Sequence, residues 1–362
     1  FESAFLQVKA LDRRNNEDGG RIYNLGISAM EDEQYDPAIE AFNYVVEKGF
    51  NNKYYFLAKQ GLLNARKNKI LSGYDFTEAD LVTLEEEYEA FVGEMGNNPA
   101  QIATAKKDLA HLKAFYLHQP EEAIAILEEI INSPNDQRLI QEVKLDLGDY
   151  YLLVGEVWEA TLLYSQVDKK MKDEPLGEMA RFKNAKLSYY TGDFEWAQAQ
   201  LDVLKAATSE LIANDALELS VFITSNYGLD TTSAPLLMFA RADLHAFQNK
   251  DDEALAILDS IDNEFPTHDL SDDINFLKAN IHLKRNNVEQ AAEHLQKIVD
   301  LQANDLLADD ALFLLGKLHE NSLSAPEKAM EYYERIILDH PGSIYVIDAR
   351  ERYRRIRGDN LN

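Results

Sequence analysis

The stretch that decides the fold is LGDYYLLVGEVWEATLLYSQV, residues 147–167. Its apolar residues recur every three to four positions, which is the period of an α-helix and not of a strand. Gly148 lies on the first of two helical segments, Gly155 interrupts the period, and Ala160 and Tyr164 lie on the second. The sequence therefore predicts two short helices joined by a tight turn.

The two small residues in this stretch have a steric role. Gly148 lets the first helix approach the second, and Ala160 falls at the closest point of the antiparallel pair, where a larger side chain would push the helices apart. The pattern Leu-Gly-x-x-Tyr, Gly, Ala-x-x-x-aromatic-x-x-aliphatic closely resembles the tetratricopeptide (TPR) repeat. The resemblance implies stacked helix pairs that present a surface to other proteins.

The same frame recurs along the chain when Ala160 is taken as a marker. The equivalent alanines are Ala38, Ala160, Ala197, Ala254, Ala291 and Ala329. From Ala160 onward the intervals are 37, 57, 37 and 38 residues. Several matches in one register indicate a repeat architecture, whereas a single match to so degenerate a motif would not.

Two regions depart from the period. The 85 residues between Ala38 and Ala123 must hold one more helix pair. The 57-residue interval exceeds a repeat by about twenty residues, and residues 209–228 have the pattern of an inserted helix, followed by the loop LDTTSAP. We therefore predict an all-α fold: a right-handed TPR superhelical solenoid of about eight helix pairs, with an inserted helix and a C-terminal capping helix.

The predicted organisation has five segments. They are an N-terminal helix or partial repeat (1–18), an N-terminal TPR stack (19–209), an inserted helix and hinge loop (210–234), a C-terminal TPR stack (235–342) and a basic capping helix and tail (343–362).

Composition excludes several classes of function. The chain has 64 acidic and 36 basic residues, and this net charge of −28 opposes binding to nucleic acid. It has no cysteine, which excludes thiolate chemistry and fits an oxidising compartment. No apolar run is long enough to span a bilayer, and no signal peptide is present. Because the sequence opens with Phe1, we interpret it as a processed or partial chain, and an upstream signal or lipid anchor stays open.

Catalytic, cofactor and metal motifs are not found. The sequence contains no phosphate-binding loop, dinucleotide-binding motif, nucleophile elbow or HExxH zinc motif. His111 and His118 are interpreted as ordinary histidines and not as metal ligands. The acidic strings IANDAL (212–217), LSDDIN (270–275) and LADDAL (307–312) are interpreted as helix starts, where carboxylates face free amides. We predict no enzyme activity, no cofactor and no metal.

Partner binding is predicted on the first helices of the helix pairs. The candidate groove residues are Lys186, Tyr190, Asp243, Phe247, Asn280, Lys284 and Lys317. A second, deeper position is aromatic in five of six repeats, including Phe239, Phe276 and Phe313, and is favoured as core over groove. The expected partners are protein or peptide segments.

The chain ends on a basic stretch, HPGSIYVIDARERYRRIRGD (340–359). Tyr345, Ala349, Tyr353 and Ile356 form one apolar stripe, suited to covering the last repeat. Ser343 is placed to cap this helix. Arg354, Arg355 and Arg357 are a candidate contact for an anion, with pairing to nearby acidic side chains as the favoured alternative.

The function predicted from these features is a non-catalytic protein–protein interaction scaffold. Repeats longer than the family standard, with Pro266 and Pro341 after second helices, are similar to TPR proteins of bacterial envelopes, Bacteroidetes ones in particular. This resemblance implies a periplasmic or outer-membrane-associated role in envelope assembly or secretion. The alternatives are a cytoplasmic adaptor, a helical-toroid enzyme, or a subunit that contacts lipid or polysaccharide. Membrane association is expected only through an upstream anchor or the basic C-terminal helix.

Overall fold

The computed structural model describes residues 1–72, 77–95, 99–133, 136–172, 174–227, 232–266, 268–301 and 307–359. Within these ranges the chain forms nineteen α-helices and no strand, which confirms the all-α prediction. Part of the predicted hinge loop, residues 228–231, lies outside the described residues, as does the predicted tail at 360–362. The handedness of the superhelix stays a prediction.

The chain divides into two compact units, Phe1–Tyr150 and Tyr151–Asn362. Helices of the first unit are α1 (Glu2–Asn15), α2 (Gly20–Glu31), α3 (Tyr35–Val46), α4 (Tyr55–Ser72), α5 (Glu78–Glu94), α6 (Pro99–Phe115), α7 (Pro120–Asn132) and most of α8 (Gln137–Leu153). Helices α4 and α5 are the additional pair expected between Ala38 and Ala123.

The second unit holds the remaining helices. These are α9 (Val157–Lys170), α10 (Pro175–Thr191), α11 (Phe194–Leu204), α12 (Glu210–Tyr227), α13 (Ala234–Phe247), α14 (Asp251–Glu264), α15 (Ser271–Lys284), α16 (Val288–Leu301), α17 (Ala308–Asn321), α18 (Pro326–Asp339) and α19 (Val346–Arg357). Pairs of consecutive helices pack against each other, as α13 does with α14, α15 with α16 and α17 with α18.

The small residues lie where the repeat frame predicts close packing. All six marker alanines are completely buried. On the first helix of a pair, a Cβ at Gly316 would come within 2.4 Å of the ring of Tyr333 on the second helix. Glycine is therefore required because an aromatic ring of the partner helix occupies the space of its side chain.

In the first unit one ring fills two such spaces. Phe42 on α3 is completely buried. A Cβ at Gly26 on α2 would lie 2.7 Å from this ring, and a Cβ at Gly61 on α4 would lie 2.8 Å from it. Phe42 thus joins its own pair to the following one.

The turn between the helices of a pair uses a left-handed residue. Gly155 and Gly192 have φ values of 91° and 83° at two such turns. Where the turn has no glycine, asparagine serves twice, at Asn249 and Asn286, each with φ of 59°. Asparagine tolerates this conformation better than most side chains do, so these two turns form without glycine.

The inserted helix α12 is fixed to its neighbours by hydrogen bonds. The Gln198 amide on α11 donates to the carbonyl oxygen of Ser220 at 2.8 Å and to the Thr224 hydroxyl at 2.7 Å, and accepts from the Ser220 hydroxyl at 2.7 Å. Next to the insertion, α10 packs directly on α13. The segment boundaries predicted from sequence stay predictions.

Two of the three acidic strings lie at helix starts. Asp272 and Asp273 occupy the first turn of α15, and Asp309 and Asp310 that of α17. The interpretation of IANDAL was wrong, because Asp215 lies inside α12, which begins at Glu210. The acidic neighbour of an apolar run was mistaken for a helix start, although the helix already extended upstream.

The last helix covers the final repeat, as predicted. The Tyr345 ring stacks on Phe313 of α17 with centroids 4.3 Å apart, and its hydroxyl donates to Asp310 Oδ1 at 2.7 Å. Ala349 is fully buried. Ser343 accepts a hydrogen bond from the Tyr345 amide at 3.1 Å, so it stabilises the turn before the helix and is not the N-cap.

Helices α15 and α16 meet through two stacked histidines. The ring centroids of His282 and His294 lie 5.5 Å apart at an interplanar angle of 9°. His294 Nδ1 is 2.9 Å from Asn275 Oδ1. Burial, followed by the nearby Lys297 and Lys278 ammonium groups, lowers the pKa of His294 to about 4. Burial also lowers the pKa of His282.

Acid is therefore expected to destabilise the second unit through His294. The unfolded chain binds the proton near pH 6.5, whereas the folded chain binds it only near pH 4, so the unfolded state holds more protons between these values. The stability is complete above pH 6.5 and falls as the pH is lowered, by at most roughly 2 kcal/mol at pH 5, since solvent screens part of the effect at this partly exposed ring.

Urea denaturation of the wild type and of His294→Gln, at about pH 7 and about pH 5, measures this effect. The difference between the two proteins isolates His294 from the many carboxylates that also titrate. Equal losses of stability in the two proteins would contradict the assignment.

Candidate functional site

The predicted groove residues lie on α10, α13, α15 and α17, which we call the first-helix row. Within this row α10 packs against α13, and α13 against α15. The packing of neighbouring first helices brings residues of separate repeats close together. The row therefore supplies one surface built from several repeats.

Lys186 and Tyr190 form one part of this surface. The Lys186 ammonium group lies 5.5 Å from the centroid of the Tyr190 ring. Tyr190 is only 4% exposed and packs against Tyr189, so its side chain differs from the exposed contact that was predicted. The sequence period placed Tyr190 on the correct helix face but did not show that the neighbouring tyrosine would cover its ring. Tyr190 therefore contacts Lys186 through a cation–π interaction and is not itself exposed to a partner.

The other predicted groove residues differ in their exposure and in the contacts they already make within the chain. Phe247 and Lys317 are half-buried, and Lys317 lies 6.0 Å from the Phe313 ring centroid. Asn280 is exposed. The Lys284 ammonium donates to the Ala246 carbonyl oxygen and to Asp251 Oδ1, both at 3.0 Å. Lys284 therefore ties α15 to the preceding helix pair.

The aromatic position beneath this surface is covered by neighbouring rings in two repeats. Phe239 is buried and its ring centroid lies 5.3 Å from that of Phe222 on α12. Phe313 is covered by Tyr345 of the last helix. Phe239 is therefore core, whereas Phe313 is half-buried beneath Tyr345.

The Lys186 charge acts on Glu218 and on Asp243, and the Asp310 charge acts on Glu218; we call Glu218, Asp243 and Asp310 the inner acidic cluster. Burial raises the pKa of the Asp243 carboxyl, and the Lys186 charge offsets part of this rise. Burial, followed by the Asp310 and Asp215 charges, raises the pKa of Glu218, while Lys186 again lowers it. Lys186 is thus the cation shared by Glu218 and Asp243.

Asp310 extends this cluster to the end of the chain. Burial raises the pKa of its carboxyl, although the Tyr345 hydroxyl donates to it. The Glu218 charge in turn contributes to the raised pKa of Tyr345. The inserted helix α12 therefore lies near α17 and the start of α19, where Glu218, Asp310 and Tyr345 share one electrostatic environment.

The sequence did not reveal Glu218 and Asp310 as site residues. Asp310 was interpreted as a helix-start acid, and Glu218 was counted only as part of the insertion. The two lie 92 residues apart in sequence, and no local pattern encodes that they meet. A repeat frame predicts which face of a helix is buried but not where an inserted helix packs.

The cluster carries excess negative charge with one neighbouring lysine. In the part of the chain that is described, no group of three or more histidine, aspartate or glutamate side chains is arranged to hold a metal ion. Carboxylates whose charged form is disfavoured gain by pairing with a cation, since the pair restores the interactions lost on burial. The arrangement is suited to a lysine or arginine side chain of a partner.

Comparison with known proteins identifies the repeat. Residues 276–344 match the family model of the tetratricopeptide repeat. A tetratricopeptide repeat protein from Parabacteroides merdae is 13% identical over 82% of this chain and 98% of its own, with a TM-score of 0.40. The apo form of RapI is 10% identical over 94% and 97%, with a TM-score of 0.39. The TPR domain of P58(IPK) is 13% identical over 94% and 98%, with a TM-score of 0.29. No curated protein matches the chain.

A search of the described helices found none with the length and apolar character needed to cross a bilayer.

Proposed function

We propose that this chain, a member of the tetratricopeptide repeat superfamily, is a non-catalytic scaffold whose first-helix row binds a cationic segment of a partner protein. The observation that carries the proposal is the inner acidic cluster, in which the Lys186 charge acts on Glu218 and Asp243 and the Asp310 charge acts on Glu218. TPR proteins of known fold present such rows to protein segments, and the charges here select for lysine and arginine.

The partner segment would place a cationic side chain between Glu218 and Asp310. Burial disfavours the charged form of both carboxyl groups, so both attract an incoming ammonium or guanidinium group, although salt screens part of the attraction at the exposed Glu218. Exposed Asn280 and half-buried Phe247 would contact the neighbouring backbone and apolar side chains of the segment. The Lys186 charge would repel a second positive side chain placed next to it. The site therefore favours a segment whose positive charges are spaced apart.

Binding of fluorescent peptides of equal length, one rich in lysine and one rich in glutamate, tests this proposal. We expect the lysine peptide to bind, and Glu218→Gln with Asp310→Asn to weaken it by about tenfold, because two charge pairs are lost. Glu159→Gln on the exposed face of α9 is the matched control and should change nothing. If the double variant bound the lysine peptide with the same affinity as the wild type, the proposal would be contradicted.

We further infer that the protein is located outside the cytoplasm and acts in bacterial envelope assembly or secretion. The support is compositional: 362 residues without one cysteine suit an oxidising compartment. Fractionation of cells that express the complete gene product tests this inference, since recovery in the cytoplasmic fraction would favour the adaptor role instead.

A second candidate function is an enzyme of the helical-toroid type, a hydrolase, because the Asp310 charge acts on Glu218 and both carboxyl groups have a raised pKa. A carboxyl group with a raised pKa next to a second carboxylate is the arrangement of a general acid and its partner. Turnover of chromogenic glycosides by the wild type, lost in Glu218→Gln, would establish this candidate. No turnover by the pure wild type across the panel would leave the scaffold as the function.

A further inference from the structure

The last helix exposes aliphatic side chains on the face turned away from the repeats. Ile344, in the turn before α19, is 84% exposed and Ile347 in its first turn is 79% exposed, although α19 buries Ala349 completely. Leu338, at the end of α18, is 68% exposed. Single exposed aliphatic residues are ordinary, but three within ten residues form an unusual concentration of apolar surface.

Arginines continue the exposed stripe. Counting from Ile347, Arg350 and Arg354 follow at three and seven positions, which places them on the same helix face. Both are exposed. Arg350 forms no ion pair with any described residue, and the Arg354 guanidinium lies 3.5 Å from Asp359. Exposed pairs of this kind are weak, so these guanidinium groups remain able to bind another anion.

The charge of this end is opposite to that of the whole chain. Residues 340–359 contain five arginines and three acidic residues, a net charge of +2, within a protein of net charge −28. Charges separated by more than about 8–10 Å are largely screened in physiological salt, so a surface that meets this end senses mainly the arginines.

We propose that the C-terminal patch, formed by Leu338, Ile344, Ile347, Arg350 and Arg354, docks on an anionic lipid bilayer. The aliphatic side chains would enter the interfacial region, and the two guanidinium groups would bind headgroup phosphates. A bilayer accepts single side chains, whereas a stable protein interface requires roughly 800 Å² from each partner. Three aliphatic residues do not supply that area, and two copies that meet at this end would bring their arginines together, which repel one another.

Co-sedimentation with vesicles tests the patch in the complete chain. We expect sedimentation with equal parts phosphatidylcholine and phosphatidylglycerol but not with phosphatidylcholine alone. Arg350→Glu with Arg354→Glu should reduce the bound fraction about tenfold, and Ile344→Ser with Ile347→Ser by a similar factor. Trp158→Ser, which removes the most exposed aromatic side chain of α9 (85%), is the control and should leave binding unchanged.

Three outcomes overturn the proposal: no sedimentation of the wild type with the mixed vesicles, equal binding to phosphatidylcholine alone, or wild-type binding by both double variants. Sedimentation velocity tests whether the patch instead binds a second copy of the chain. If the wild type were a dimer and Ile344→Ser with Ile347→Ser made it monomeric, the patch would be assigned to a dimer interface. All four substituted side chains are exposed, so each variant should keep its fold. Thermal melting followed by circular dichroism checks this.

Discussion

Replacing Phe42 with alanine is expected to lower the free energy of unfolding of the first unit by about 4 kcal/mol, because it opens a cavity that cannot close. The ring is completely buried and lies against Gly26 on one side and Gly61 on the other. Neither glycine has a side chain that could move into the vacated space. Urea denaturation of the wild type and the variant measures the loss as a lower midpoint at similar slope.

Two further variants make this experiment specific. Phe50→Ala removes a ring that is 59% exposed and should cost less than about 1 kcal/mol. Gly26→Ala alone places a Cβ 2.7 Å from the Phe42 ring and should destabilise, whereas in the Phe42→Ala background that clash is gone. The two substitutions should therefore be non-additive. Additive losses would show that Phe42 does not occupy the space in front of Gly26.

This packing shows which part of the fold the sequence could predict. The spacing between Gly26, Ala38 and Phe42 lies within one repeat, so it identified the helix pair and its close contacts. The Gly61 contact joins two pairs in a region where the repeat period breaks down, and the frame gave no position for it. Packing within a pair follows from local spacing, whereas packing between irregular pairs depends on loop lengths that no motif encodes.

The candidate site was predicted less completely for a related reason. The frame predicted Lys186 and Asp243 at equivalent positions of neighbouring first helices, and α10 does pack against α13. It did not predict that Tyr190 would be buried or that Glu218 would approach Asp310. Those outcomes depend on the side chains that cover a position and on where an insertion packs, which are properties of the assembled unit.

The N-terminal helix depends on a single buried carboxylate. Asp12 is 2% exposed, although α1 as a whole is largely open to solvent. Its Oδ1 accepts a hydrogen bond from the Gly19 amide at 2.9 Å, and its Oδ2 accepts one from the Tyr44 hydroxyl at 2.8 Å. The Lys48 ammonium group also contacts Oδ2. One side chain thus connects α1, the start of α2 and the end of α3.

Substitution of Asp12 by alanine is therefore expected to cost about 3 kcal/mol, because it leaves a buried amide, a hydroxyl and an ammonium group without their acceptor. This loss of stability is at the low end of the range expected on breaking a buried ion pair, because Lys48 is partly exposed and its ammonium group can be hydrated instead. Asp12→Asn retains an acceptor for Gly19 and should lose less. Asp32→Ala, at an exposed position, is the control.

Hydrogen exchange distinguishes this local role from a general loss of stability. In Asp12→Ala the amides of α1 should exchange much faster, while those of α17 and α18 in the second unit should keep wild-type rates. Equal losses of stability in the alanine and asparagine variants would show that acceptance from Gly19 contributes little. Unchanged protection of α1 in the alanine variant would mean that its apolar contacts, led by buried Phe5, hold the helix without the carboxylate.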